Sequence, residues 1–146
     1  MDAEAELEGF IGKYSPPVAA QVRAARAWMR RRLPGAIELV YDNYNALVVG
    51  YGAGETQADL VFSLAAYPRW VSLFFVDGAT LEDPTGRLKG SGVRVRHIVI
   101  DDLATLEAPD VAGLVAQALA RRPIPPGVGG VLIKSVSARQ RPRRPG

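Results

Sequence analysis

The sequence predicts an α+β domain: a two-layer sandwich of about five antiparallel strands with two N-terminal helices and one C-terminal helix, in the order ααβββββα. Three observations predict it. Apolar residues recur at helical spacing at both ends of the chain. Between those ends, from Ile37 to Ile100, the pattern changes to short apolar runs rich in Val, Leu, Phe and Tyr. The breaks between most of those runs, such as "YDNYN", "AAYP" and "DGAT", are short, which favours antiparallel neighbours with the helices gathered on one face.

Each element has its own justification. From Ala3 to Tyr14, Leu7, Phe10 and Ile11 form one helical stripe opposite the carboxylates of Glu4, Glu6 and Glu8. In "SPPVAAQVRAARAWMRRRLPG", Ser15 is a plausible N-cap, the prolines sit where a first turn tolerates them, and Pro34-Gly35 stops the helix. Val18, Val22, Ala25, Met29 and Leu33 share its apolar face, and its arginines are expected on the solvated back. Strands are expected at Ile37–Tyr41, Ala46–Tyr51, Leu60–Leu64, Val71–Val76 and Val93–Ile100, as a meander. The segment "LEDPTGRLKGSG" is broken by Pro84 and its glycines and reads as loop. A third helix follows in "APDVAGLVAQALARR", with Val111, Leu114, Val115, Ala118 and Leu119 on one face. Residues 1–122 are thus expected to form one domain. Residues 123–146 read as a Pro/Gly linker, a short β-like segment from Val131 to Val136, and a disordered basic tail.

Composition narrows the function classes. A chain of 146 residues with 48% hydrophobic and 23% charged residues can bury a core unaided. No apolar run approaches the roughly 20 residues that cross a bilayer, so no membrane partner is expected. The acidic start "MDAEAELEGF" lacks the pattern of a secretory signal, and a cytoplasmic location is expected. Without cysteine there is no thiolate metal site and no cysteine nucleophile. The net charge of +3 belongs to the C-terminal end: without Lys134, Arg139, Arg141, Arg143 and Arg144 the chain is slightly acidic.

The helical N-terminus, "AIELVYDNYNAL", "VFSLAAYPRWVSLFF", "GRLKGSGVRVRHIVID" and the closing helix together resemble the YdhG-like family, small bacterial proteins that form a domain-of-unknown-function group. The resemblance spans roughly Leu7 to Arg121. Glu38, Tyr41, Leu88, Lys89, Gly90 and Gly92 match positions of the family pattern, whereas Asp42 and Tyr44 stand where its turn usually has glycine and proline. Trp70 replaces a frequent histidine. The resemblance implies a frataxin-like α+β sandwich. One branch of the family is regarded as an iron chaperone, and in frataxin-like proteins an acidic first helix is associated with iron. This makes Glu4 and Glu8 the candidate metal residues. No catalytic residues are established for the family, and none are carried over.

The residues themselves favour binding over catalysis. "GRLKGSG" is not a phosphate loop, because a strand rather than a helix follows it; its glycines are expected to supply positive φ in a turn. His97 is the single histidine and shares a strand parity with Val93, Val95 and Val99, which suits a hydrogen-bonded core residue. No serine stands in a nucleophile elbow, and no second histidine offers metal-ligand spacing. The run from Trp70 to Val76 is apolar at both parities, so the sheet face that helices leave uncovered could be core, a ligand cleft or a homodimer interface.

The leading expectation is a non-catalytic binding protein without a cofactor, taking a small ligand or protein partner near Tyr41, Tyr44, Trp70, Lys89, Arg94, Arg96 and His97. The alternatives are iron binding at Glu4 and Glu8, and electrostatic contact of the tail with nucleic acid. For the last, no recognition helix, RNA-binding aromatic signature or zinc finger is present, and nucleic acid is not the expected partner.

Overall fold

The computed structural model describes residues Met1–Gly146. It is an α+β structure with four helices: α1 (Ala3–Ile11), α2 (Pro16–Arg32), α3 (Leu103–Glu107) and α4 (Pro109–Arg121). Six strands form one sheet: β1 (Ile37–Asp42), β2 (Leu47–Gly52), β3 (Leu60–Ala66), β4 (Val71–Phe75), β5 (Arg96–Ile100) and β6 (Gly130–Val136), in spatial order β5-β4-β3-β2-β1-β6. The meander β1 to β5 is antiparallel as expected. The sixth strand is not: β6 joins the far edge of the sheet parallel to β1. The sheet is therefore mixed and six-stranded, and the segment expected to lie outside the domain completes it.

Register decides which side chains meet the helices. Val40, Val49, Leu64, Leu73 and Ile98 lie across from one another on successive strands, and with their same-face neighbours they join Leu7, Ile11, Val18, Val22, Met29, Leu106, Val111 and Val115 in one core cluster. All four helices thus contribute to a single face. Leu39, Leu60 and Ala65 are buried outside that cluster, on the opposite face.

Caps set the helix starts. The Asp2 side chain accepts from the Ala5 N–H at 2.8 Å, and α2 begins with prolines that lack only donors a first turn leaves unpaired. Asp102 caps α3, a five-residue turn absent from the expected order. The last antiparallel strand begins at Arg96 rather than Val93. Val93 is almost wholly exposed and has nothing to bury, while Arg96 Nη1 donates to the carbonyls of Gly92 and Val95 and closes a turn there. Upstream, Lys89 and His97 exchange backbone hydrogen bonds of 2.8 and 2.9 Å, so the loop folds back along β5. Gly86 and Gly90 adopt φ of +67° and +115°, the conformation expected of the turn glycines, whereas Gly92 does not.

The arginines of α2 are not all solvated. Arg26 is buried and donates to both Glu4 (2.6 and 2.7 Å) and Glu38 (2.9 and 3.0 Å), and Arg30 adds a 2.8 Å bond to Glu38. Tyr51 donates to the same Glu38 carboxylate at 2.7 Å. Burial, and then the Glu38 charge, push the Tyr51 hydroxyl well above its ordinary value. Three elements are thereby tied through one buried carboxylate.

Candidate functional site

Side chains alternate along a strand, so the face turned away from the helices carries Tyr41, Val48, Ser63 and Phe74 in neighbouring positions of β1 to β4. They form the floor of a groove of about 800 Å³, with Leu60 and Val76 among its lining residues. One wall is the loop between β2 and β3 at Gln57 and Ala58, and the other is the segment before β5 at Arg94 and Val95. The loop is anchored: Arg122 donates to the carbonyls of Leu60 and Ala58, and Lys134 donates to that of Glu55 at 2.9 Å. Gly50 makes the floor possible, because a Cβ there would come within 2.6 Å of the Leu60 side chain.

The groove is mainly apolar with polar groups at defined points. Burial raises the Tyr41 hydroxyl above its ordinary value, so it is a donor at neutral pH. Ser63 adds a hydroxyl. Arg94 stands at the rim, bound to Asp77 at 2.6 Å, and this hydrogen bond is the main reason the Asp77 carboxyl falls below its ordinary value. The ring of His97 lies 5.1 Å from that of Phe74. His97 is therefore half-buried on the groove side of the sheet, beside its aromatic floor, and not in the helix-covered core as its apolar parity suggested.

The remaining expected site residues do not gather here. Trp70 is 41% exposed at the turn before β4 and stacks on Tyr67, with ring centroids 4.8 Å apart. Tyr44 is exposed in the turn between β1 and β2, where its carbonyl accepts from the Arg141 N–H at 2.8 Å. Lys89 lies at the β5 edge beside Gly86, Arg87 and Val99, and Arg96 turns onto the loop carbonyls. Of the seven expected ligand-binding residues, Tyr41 and Arg94 line the groove and His97 abuts it.

Glu4 and Glu8 are each engaged by arginines of α2. Glu4 is held by Arg26 and Arg30, and its pKa falls chiefly through the hydrogen bond from Arg26; Glu8 pairs with Arg23 at 3.1 Å. No group of three or more His, Cys, Asp or Glu side chains is arranged to hold a metal.

One cluster was not anticipated from the sequence. Asp42 is fully buried at the end of β1 and receives Lys13 Nζ at 2.7 Å and Arg143 Nη2 at 3.0 Å, while the Gln140 side chain bridges Lys13 and the Asp42 carbonyl. The Arg143 guanidinium also lies 5.9 Å from the Tyr14 ring centre. Burial acts to raise the Asp42 pKa, but the bonds from Lys13, Gln140 and Arg143 outweigh it and lower the value. The basic tail expected to be disordered is instead bound back across the domain. An acid at the helix-facing parity of β1 was the signal: buried there, it demanded a cation.

Comparison with family models, curated proteins and solved structures found no significant match for the chain.

Proposed function

We propose that this protein is a non-catalytic binding protein of the YdhG-like type that takes a small, mainly apolar molecule with a polar or anionic group on its open sheet face. The observation that supports this reading is the groove over Tyr41, Ser63 and Phe74, whose volume of about 800 Å³ falls in the size range of small-ligand sites. An apolar floor supplies contact area, while the Tyr41 hydroxyl, Ser63 and Arg94 would orient a polar end. Binding fits better than reaction: Tyr41 keeps its proton at neutral pH, and no carboxylate or imidazole lines the groove to activate Ser63.

The test uses 1-anilinonaphthalene-8-sulfonate, a fluorescent probe with two aromatic systems and an anionic group. The wild-type protein should bind it with enhanced fluorescence. Ser63→Trp, which fills the groove from its floor, should weaken binding about tenfold, the effect of losing about 1.4 kcal/mol, with an unchanged circular dichroism spectrum. Equal binding by the folded variant would remove the groove as the site.

A further inference from the structure

At one end of the sheet lies a second cleft, of about 660 Å³, between the turn that carries Tyr67 to Trp70 and the C-terminal segment. Three properties set it apart from the groove. Its aromatic element is a ready-made platform: Tyr67 and Trp70 are stacked with an interplanar angle of 22°, and Trp70 remains 41% exposed. Its side-chain charge is of one sign: Arg69, Arg141 and Arg144 line it, and no Asp or Glu side chain does. The guanidiniums of Arg69 and Arg141 form neither an ion pair nor a hydrogen bond, whereas Arg23, Arg26, Arg30, Arg87, Arg94 and Arg143 each face a carboxylate.

The tail is also anchored at three of its arginines, Arg141 through its backbone alone. Arg143 is buried against Asp42, the Arg141 N–H bonds the Tyr44 carbonyl, and Arg144 Nε donates to the Lys13 carbonyl at 3.2 Å. Cations on an anchored segment meet an anion with less ordering cost than cations on a free chain. A planar ring next to unpaired guanidiniums suits a ligand that combines a flat aromatic group with phosphate. Stacking is sequence-tolerant because every base has a π-face, and arginine adds both charge and planar phosphate contacts.

We infer that this cleft binds a nucleotide unit, with its base stacked on Trp70 and its phosphate between Arg69, Arg141 and Arg144. The unit comes either from a free nucleotide or from a single-stranded nucleic acid. The site shares no lining residue with the sheet-face groove, so the two can be tested separately.

The experiment measures binding of the full chain to fluorescein-labelled oligothymidylate by anisotropy at low salt, and to adenosine monophosphate by calorimetry. Trp70→Leu should weaken the binding about tenfold, within the usual value of one base stack. Arg141→Gln should weaken it and reduce the slope of log affinity against log salt by about 0.7 for the single strand. Both positions are on the surface, and circular dichroism confirms that the variants fold. Binding of the oligonucleotide well above that of the mononucleotide identifies a single strand as the source; comparable binding identifies the free nucleotide. Absence of binding to both probes overturns the inference. So does binding that both folded variants retain in full, or inorganic phosphate binding that is unchanged in Trp70→Leu and accounts for all of the affinity.

Discussion

Removing the carboxylate of Asp42 would leave the Arg143 guanidinium, only 5% exposed, facing no anion in a buried site. Breaking such a pair from one side is far more harmful than never having made it, so Asp42→Asn should cost about 3 kcal/mol in urea unfolding. The pH dependence has the same origin. The folded Asp42 pKa lies below its ordinary 3.8, so the pair contributes stability above the unfolded value that is lost as pH falls through the folded one. Wild-type stability should therefore drop below about pH 4 more steeply than that of Asp42→Asn, as followed by thermal melts across that window; parallel curves would deny Asp42 this role. Gly50 acts by what it lacks. Gly50→Val would displace Leu60 from the groove wall and should cost about 1–3 kcal/mol by overpacking, measured by the same unfolding assay.

At the scale of elements, β6 is the part whose role departs most from expectation. It covers the edge of β1 that would otherwise present unpaired backbone groups, pairing Ile37 with Gly130 and Leu39 with Leu132 before the register shifts at Val40/Tyr41. Deleting Gly130–Gly146 should expose that edge and remove Arg143 from Asp42, giving a lower melting temperature and concentration-dependent association in light scattering. A monomer of unchanged stability would contradict this. The meander was legible because its strands follow each other in sequence, with alternation that declares itself within five to seven residues. The β6 hexamer was legible as β-like but not as a partner of β1. Its pairing is parallel and lies beyond two helices, and nothing local in "VLIKSV" specifies so distant a neighbour. The same limit applies to the candidate site. Tyr41 and Arg94 could be picked by residue type, but Val48, Leu60 and Ser63 join them only through register across four strands. Trp70, Lys89 and Tyr44, equally plausible by type, end in turns and edges.

For the whole molecule, the arrangement is one-sided. Helices cover one face of the sheet, and the other keeps a groove between two anchored loops, with an arginine-lined cleft at one end of the sheet. No helix is long and apolar enough to cross a membrane. A homodimer through the sheet face would compete with ligand for the same surface, and sedimentation across a concentration series would then show a dimer that the probe dissociates. Uptake of a small molecule on the open face is tested by a titration of isotope-labelled protein with 1-anilinonaphthalene-8-sulfonate, followed by amide chemical shifts. Saturable shifts centred on Tyr41, Val48, Ser63 and Phe74 are expected, with those of α2 and α4 unmoved; shifts confined to the helices or to the turn at Trp70, or none at all, would contradict binding on the open face.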